Sequence, residues 1–230
     1  ESIEGFETDL SIKGERTIHI AVTLSPLRDA SGRITAASAV ARDITSRREA
    51  ERRRLIEHRV AQLLAESAPL NRTMPRLLET LCQSLALDCA AQWDFDAAAN
   101  GFQRACLWCR PDWDAEAIGA GIGAATAWDD AGLLAQVWRT AAPKWAGAGE
   151  LESRHAPING QAFVNSILMP ITLGSRVISI VELLTAKAQP YDPELLSSLR
   201  AIGSQIGQYM ERRRAEDDLR AEKEYIGHVI

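Results

Sequence analysis

The sequence has no long hydrophobic run. No stretch approaches the ~20 apolar residues a membrane helix needs. Residues 1–16 carry acids where the apolar core of a secretion signal would sit. Both absences favour a cytoplasmic chain with no membrane segment. A basic excess is missing too. The 26 Lys and Arg stand against 31 Asp and Glu, a net charge of -5, which favours solubility and gives no electrostatic reason to expect nucleic acid. Cysteine is sparse, at Cys82, Cys89, Cys106 and Cys109. In an acidic chain without a secretion signal these read as reduced thiols. The marks of catalysis are missing as well. There is no Gly-rich phosphate loop, no nucleophile elbow, and no GGDEF, EAL or kinase ATP-site pattern. His58, in "IEHRV", lacks the Glu-Pro that would follow a phosphoacceptor histidine. The chain reads as non-catalytic. It opens without Met and inside a strand-like run, which suggests a piece of a longer protein.

What is present begins with strands. Ile18, Ile20, Val22 and Leu24 recur at every second position and predict one apolar face. Asp29-Ala30-Ser31-Gly32 supplies turn residues, and the chain then runs extended from Arg33 to Ile44. Gly5 to Lys13 is an earlier strand. Three antiparallel strands bury nothing by themselves, so this sheet is expected to pack on a neighbour.

"LSPLRDASGRITAASAVARDITSRREAE" resembles the last two strands and exit of a PAS sensor domain. The matching pieces are Ser25-Pro26, the Asp29 to Gly32 turn, and Arg42-Asp43-Ile44-Thr45 before Arg47-Arg48. Residues 1–45 then correspond to an incomplete PAS domain, without the elements that form most of its cofactor pocket. The resemblance implies that Asp43 and Thr45 couple the sheet to the next helix. From the residues alone, Thr45 is a helix cap through its hydroxyl, and Asp43 suits the positive helix end.

Residues 46–67 predict a linker helix, continuous with the first helix of a second domain. Leu55, Ile56, Val60, Leu63 and Leu64 form its apolar stripe. Its arginines alternate with Glu49, Glu51 and Glu57, as on a solvated face. A second helix is expected from about Thr73 to Ala86, with Pro75 in its first turn. Strands follow at 89–95 and 102–110, a helix at 133–140, a short strand at Lys144-Trp145, a short helix in a loop at 155–164, a hairpin at 165–184, and a long helix from Asp192 with Pro193 first.

This order resembles a GAF domain over residues 54–212. The resemblance is carried by "WRTAAPKW" (138–145), "ILMPITLGSRVISIVELLT" (167–185) and "YDPELLSSLRAIGSQIGQYMERRR" (191–214). The fold class it implies is α+β: an antiparallel-sheet GAF domain, an α/β/α-like sandwich, preceded by a partial PAS sheet and carrying long linker helices. Residues 213–230 would be an exit helix.

All six tryptophans lie between positions 93 and 145. The resemblance puts a pocket near that region, lined by Trp93, Trp108, Trp138, Trp145, His155 and Met169. The same aromatics could instead fill the core. A small-molecule ligand fits the family; no cofactor is expected. Covalent bilin is argued against by "LESRHAPINGQAFV", which has a His and no Cys where the attachment would be. Haem would have only His155 as axial ligand. "CLWC" (106–109) has redox or half-zinc spacing. In a strand, however, i and i+3 face opposite ways, and no second Cys/His pair follows. No metal site is expected.

"RREAERRR" (47–54) and "ERRRAEDD" (211–218) each begin an exit helix. Leu199, Ile202, Ile206 and Tyr209 step by three and four, as in a coiled-coil seam. The pattern weakens at Arg213 and resumes with Leu219 and Ile226. With Leu55 and Val60, these residues predict a parallel homodimer through residues 54–66 and 195–226. The resulting expectation is a sensory PAS–GAF module of a bacterial signalling protein. It would relay a signal through dimeric helices to a downstream output domain, a histidine kinase first or a diguanylate cyclase next. The alternative is a GAF domain serving only as a dimerisation spacer.

Overall fold

The computed structural model describes residues 3–12, 16–66, 68–151 and 162–229. The chain divides into two compact units, Glu1–Arg54 and Leu55–Ile230.

The first unit contains the antiparallel sheet expected from the alternation: β1 (Ile3–Ile12), β2 (Arg16–Arg28) and β3 (Ile34–Asp43), in the order β1-β2-β3. Asp29 closes the β2–β3 turn. Its carboxylate accepts hydrogen bonds from the backbone N–H groups of Ser31 (2.9 Å) and Arg33 (3.0 Å), and Gly32 takes a φ of 81°. Register places Phe6 opposite Val22 and Leu10 opposite Ile18, so one face is apolar. Ile20 is buried, while Phe6, Leu10 and Leu24 stay exposed.

Helix α1 (Thr45–Ala65) follows and continues into the second unit. There the elements are α2 (Leu70–Leu85), β4 (Cys89–Asp96), β5 (Gly101–Cys109), α3 (Ala115–Ile122), β6 (Ala125–Ala127), α4 (Leu133–Thr140), β7 (Lys144–Gly147), α5 (Ala148–Leu151), β8 (Asn165–Leu173), β9 (Arg176–Thr185) and α6 (Pro193–Val229). The six strands form one antiparallel sheet in the order β6-β5-β4-β9-β8-β7. The α+β expectation holds.

Both faces of this sheet are covered, which explains the near-continuous burial of β8 and β9. One face packs against the long helices. Ile56 and Val60 of α1, Leu77 and Leu81 of α2, and Leu199, Ile202, Ile206 and Tyr209 of α6 meet Met169, Ile171, Val181 and Leu183. The opposite face carries Ala91, Trp93, Leu168, Ile180 and Leu184 under the short helices α3, α4 and α5.

Four of the local expectations need correction. Helix α2 begins at Leu70 behind Pro69, so Pro75 lies inside the helix rather than in its first turn. The short elements α3, β6 and α5 have little hydrophobic periodicity and were not expected. Helix α3 nevertheless starts on a legible cap, since the Asp114 carboxylate accepts from Glu116 N–H and Ala117 N–H. The third correction concerns the proposed dimer seam. Val60, Leu199, Ile202, Ile206 and Tyr209 are buried in the core of their own domain, and only Leu55 of that set is exposed. A helix lying on a sheet needs the same three-and-four stripe as a coiled coil, so spacing cannot separate the two. The fourth concerns the seam's length, because among the described side chains of α6 core burial ends at Met210.

Candidate ligand-binding face

The two faces of the second sheet differ in how they are closed. The face against α1, α2 and α6 is sealed by long helices. The other is roofed by short ones, and a cleft of about 420 Å³ opens there. Its lining includes Phe102, Thr126, Asp129, Ala131, Gly132 and Gln136, with Glu150 at the rim. Lys144 organises the polar side, donating to Gln136 Oε1 (2.7 Å) and pairing with Glu150 (2.8 Å). The hydrogen bond from Lys144 holds the Glu150 carboxyl below the usual carboxylate range. The cleft therefore offers an aromatic face, small residues and a few fixed polar groups, as small-molecule sites do.

Strand parity sorts the four strand residues among the six expected in the pocket. Trp93 and Trp138 lie on the cleft's face of the sheet, in one apolar cluster. Trp108, Trp145 and Met169 pack with the cluster under the long helices, so they do not line this face. Their neighbours Leu107, Ala146 and Leu168 do face it. Successive strand residues point to opposite sides, and an aromatic tally ignores that parity. His155 lies outside the described residues. Trp138 also joins Phe95, Phe102 and Trp128 in a cluster with centroids 5.1–5.7 Å apart, so much of the aromatic surface is core.

A buried acid was not anticipated. Glu182 of β9 is fully buried between Ala91 of β4 and Leu168 of β8. Its carboxylate accepts from Trp93 Nε1–H at 2.9 Å, with Ser166 Oγ at 3.5 Å. A buried carboxylate is costly unless hydrogen-bonded. This pairing fixes the Trp93 indole at the centre of the face. The signal was present in the sequence: Glu182 is the lone charge inside "VISIVELLT".

The junction residues take roles different from those expected. Thr45 does not cap α1 through its hydroxyl. That oxygen accepts from His19 N–H of β2 at 3.0 Å, while Asp43 Oδ1 accepts from Thr45 N–H at 2.9 Å. The capping contact thus comes from Asp43, and Thr45 ties the helix start to the sheet. Arg48 adds an ion pair to Glu7 of β1. The hydrogen bond from Arg48 holds the Glu7 carboxyl below its ordinary range, and the same bond to Glu7 raises the arginine.

Cys106 packs on the long-helix face and Cys109 on the other, so the two are separated by the sheet, as strand geometry requires. Among the described residues no three His, Cys, Asp or Glu side chains converge to hold a metal, and no helix is long and apolar enough to cross a membrane.

No family model and no curated protein matches the chain. Solved structures do. The GAF domain of a putative sensor histidine kinase from Pseudomonas syringae pv. tomato aligns with a TM-score of 0.51 at 16% identity, over 76% of this chain and 97% of that one. The phycoerythrobilin-bound GAF domain of a cyanobacterial phytochrome aligns with a TM-score of 0.58 at 9% identity, over 73% and 99%. Free methionine-R-sulfoxide reductase from Neisseria meningitidis, in complex with its substrate, aligns with a TM-score of 0.58 at 11% identity, over 71% and 91%. Similarity at these identities concerns architecture, and on that ground the chain carries a domain of the GAF fold.

Proposed function

We propose that the chain is a sensory and regulatory module in which the GAF-fold domain binds a small molecule at the cleft and passes its occupancy to the flanking helices. The observation that carries this reading is the asymmetry of the sheet. One face is locked by long helices, and the other holds a cleft under short elements. A ligand held there would bias α4 and α5 against β8, whose opposite side carries α6. The first sheet acts as the exit of a PAS-type domain, with Asp43, Thr45 and Arg48 joining it to α1. The output lies in a further domain, a histidine kinase before a diguanylate cyclase, and the role of this chain is regulatory rather than catalytic. A parallel dimer would use surfaces left outside the core, including Leu55 on α1 and Leu219 on α6. The ligand is neither haem nor a covalent bilin in this reading.

A specific observation favours a second reading, a GAF-fold spacer without ligand. The packed ring cluster of Phe95, Phe102, Trp128 and Trp138 occupies part of the same face. Native and denatured mass spectra of the purified chain separate the two. A sensor shows added non-covalent mass in the native spectrum only. Ala131→Trp, which fills the cleft from an exposed position, removes that mass without unfolding the domain. A clean apo spectrum for both proteins, with no thermal shift across a metabolite set, selects the spacer.

A further inference from the structure

Cys109, whose partner in the "CLWC" spacing is turned away, has a different partner across the sheet. Register places Cys89 of β4 directly opposite it on β5. The next pair outward is hydrogen-bonded, since Arg110 N–H donates to the Asp88 carbonyl at 3.0 Å. Cys89 and Cys109 therefore form a non-hydrogen-bonded pair, the type in which Cα atoms approach to about 4.5 Å and side chains lie closest. Their sulfurs are 3.2 Å apart. A disulfide tolerates Cα separations from about 4.4 Å, so the sulfurs need to close by only about 1.2 Å.

The two thiols differ in a way that suits stepwise oxidation. Cys109 is half-buried and open to solvent, whereas Cys89 is fully buried beneath it. The hydrogen bond from Cys89 and the nearby positive charge of Arg104 hold the Cys109 thiol below its ordinary range, while the same pairing and then burial push Cys89 up. Cys106 faces the opposite side of the sheet, and Cys82 is buried on α2 in the other cluster, where burial pushes its thiol up as well.

We propose that Cys89 and Cys109 are a reversible thiol–disulfide modification site, oxidised by hydrogen peroxide or an organic hydroperoxide and restored by a thiol reductant. The Cys109 thiolate attacks one peroxide oxygen. An S–O bond forms, the O–O bond breaks, and water or the alcohol leaves with a proton from solvent. Cys89 sulfur then attacks the sulfenic sulfur of Cys109. The S–S bond forms, the S–O bond breaks, and the departing hydroxide takes the Cys89 proton as water. Two thiols are oxidised by two electrons in all, and one peroxide is reduced. Two thiols of the reductant reverse the step, themselves becoming a disulfide. The site is independent of the cleft ligand, because it lies at the far end of the β4–β5 pair from Phe102.

The test is intact mass and peptide mapping of the full chain, reduced, treated with stoichiometric hydrogen peroxide and then alkylated. A mass loss of about 2 Da before alkylation, for two hydrogens, is expected. So are a linked Cys89–Cys109 peptide, two alkylatable thiols where there were four, and recovery with dithiothreitol. Cys109→Ser abolishes the loss and Cys106→Ser keeps it. Cys109 is accessible enough for the serine to fold, and mapping of the unsubstituted chain decides the question if buried Cys89→Ser does not. Retention of all four thiols, oxygen addition without a cross-link, or a linkage through Cys82 or Cys106 overturns the proposal.

Discussion

Small residues set how closely the last helix approaches the sheet. A Cβ at Gly203 would lie 2.1 Å from the Pro170 carbonyl oxygen, and one at Gly207 equally close to that of Thr172. Both obstacles are backbone, so no side chain can yield. Gly203→Ala and Gly207→Ala should each destabilise the domain by about 1–3 kcal/mol through overpacking. In a domain of this size that corresponds to about 2–4 °C in melting temperature per kcal/mol, readable by circular dichroism. Unchanged melting would mean that α6 does not sit this close. The sequence showed the pair as "IGSQIGQ" without indicating its purpose, because the obstacle comes from a strand some thirty residues earlier. Asp88 makes the same point. It accepts from Arg110, Thr185 Oγ1 and Ala186 N–H, partners drawn from both sides of the sheet order.

Among elements, α6 shows how a correct pattern supports the wrong partner. Its 37 residues would span about 55 Å at 1.5 Å per residue. The sequence predicted the helix, its Pro193 start and the weakening of the pattern near Arg213. Asp192 caps it, accepting from Leu195 N–H at 2.9 Å. The stripe, however, is spent on β8 and β9 of the same chain. Leu199, fully buried there, distinguishes the two arrangements. Leu199→Ala should cost about 2–5 kcal/mol by leaving a core cavity. Its melting temperature should fall by the same amount at protein concentrations tenfold apart. A deficit that shrinks as concentration rises would mark Leu199 as a seam residue instead.

At the scale of the whole molecule, the two units differ in how much they bury. The first has a three-stranded sheet with Phe6, Leu10, Leu24 and Val40 exposed, and β3 is exposed along its length. The second has two filled layers of core. Brief trypsin digestion should therefore cut first at Arg28, Arg33 or Arg42 and leave a resistant product that begins in α1, identified by mass. Early cleavage inside the six-stranded sheet would contradict this ranking.

The sequence by itself determined the fold class, most element boundaries of the second unit, the turn at Asp29, and the separation of Cys106 from Cys109. Each follows from local chemistry: side-chain period, turn residues and caps. Only the tertiary structure decided which tryptophans share a face with the cleft, what the α6 stripe packs against, and that Glu182 receives the Trp93 indole. It also decided that Cys109 meets Cys89. These are matters of strand register and layer order, fixed by contacts between residues some 20 to 90 positions apart, and no local pattern records which strand will lie beside which.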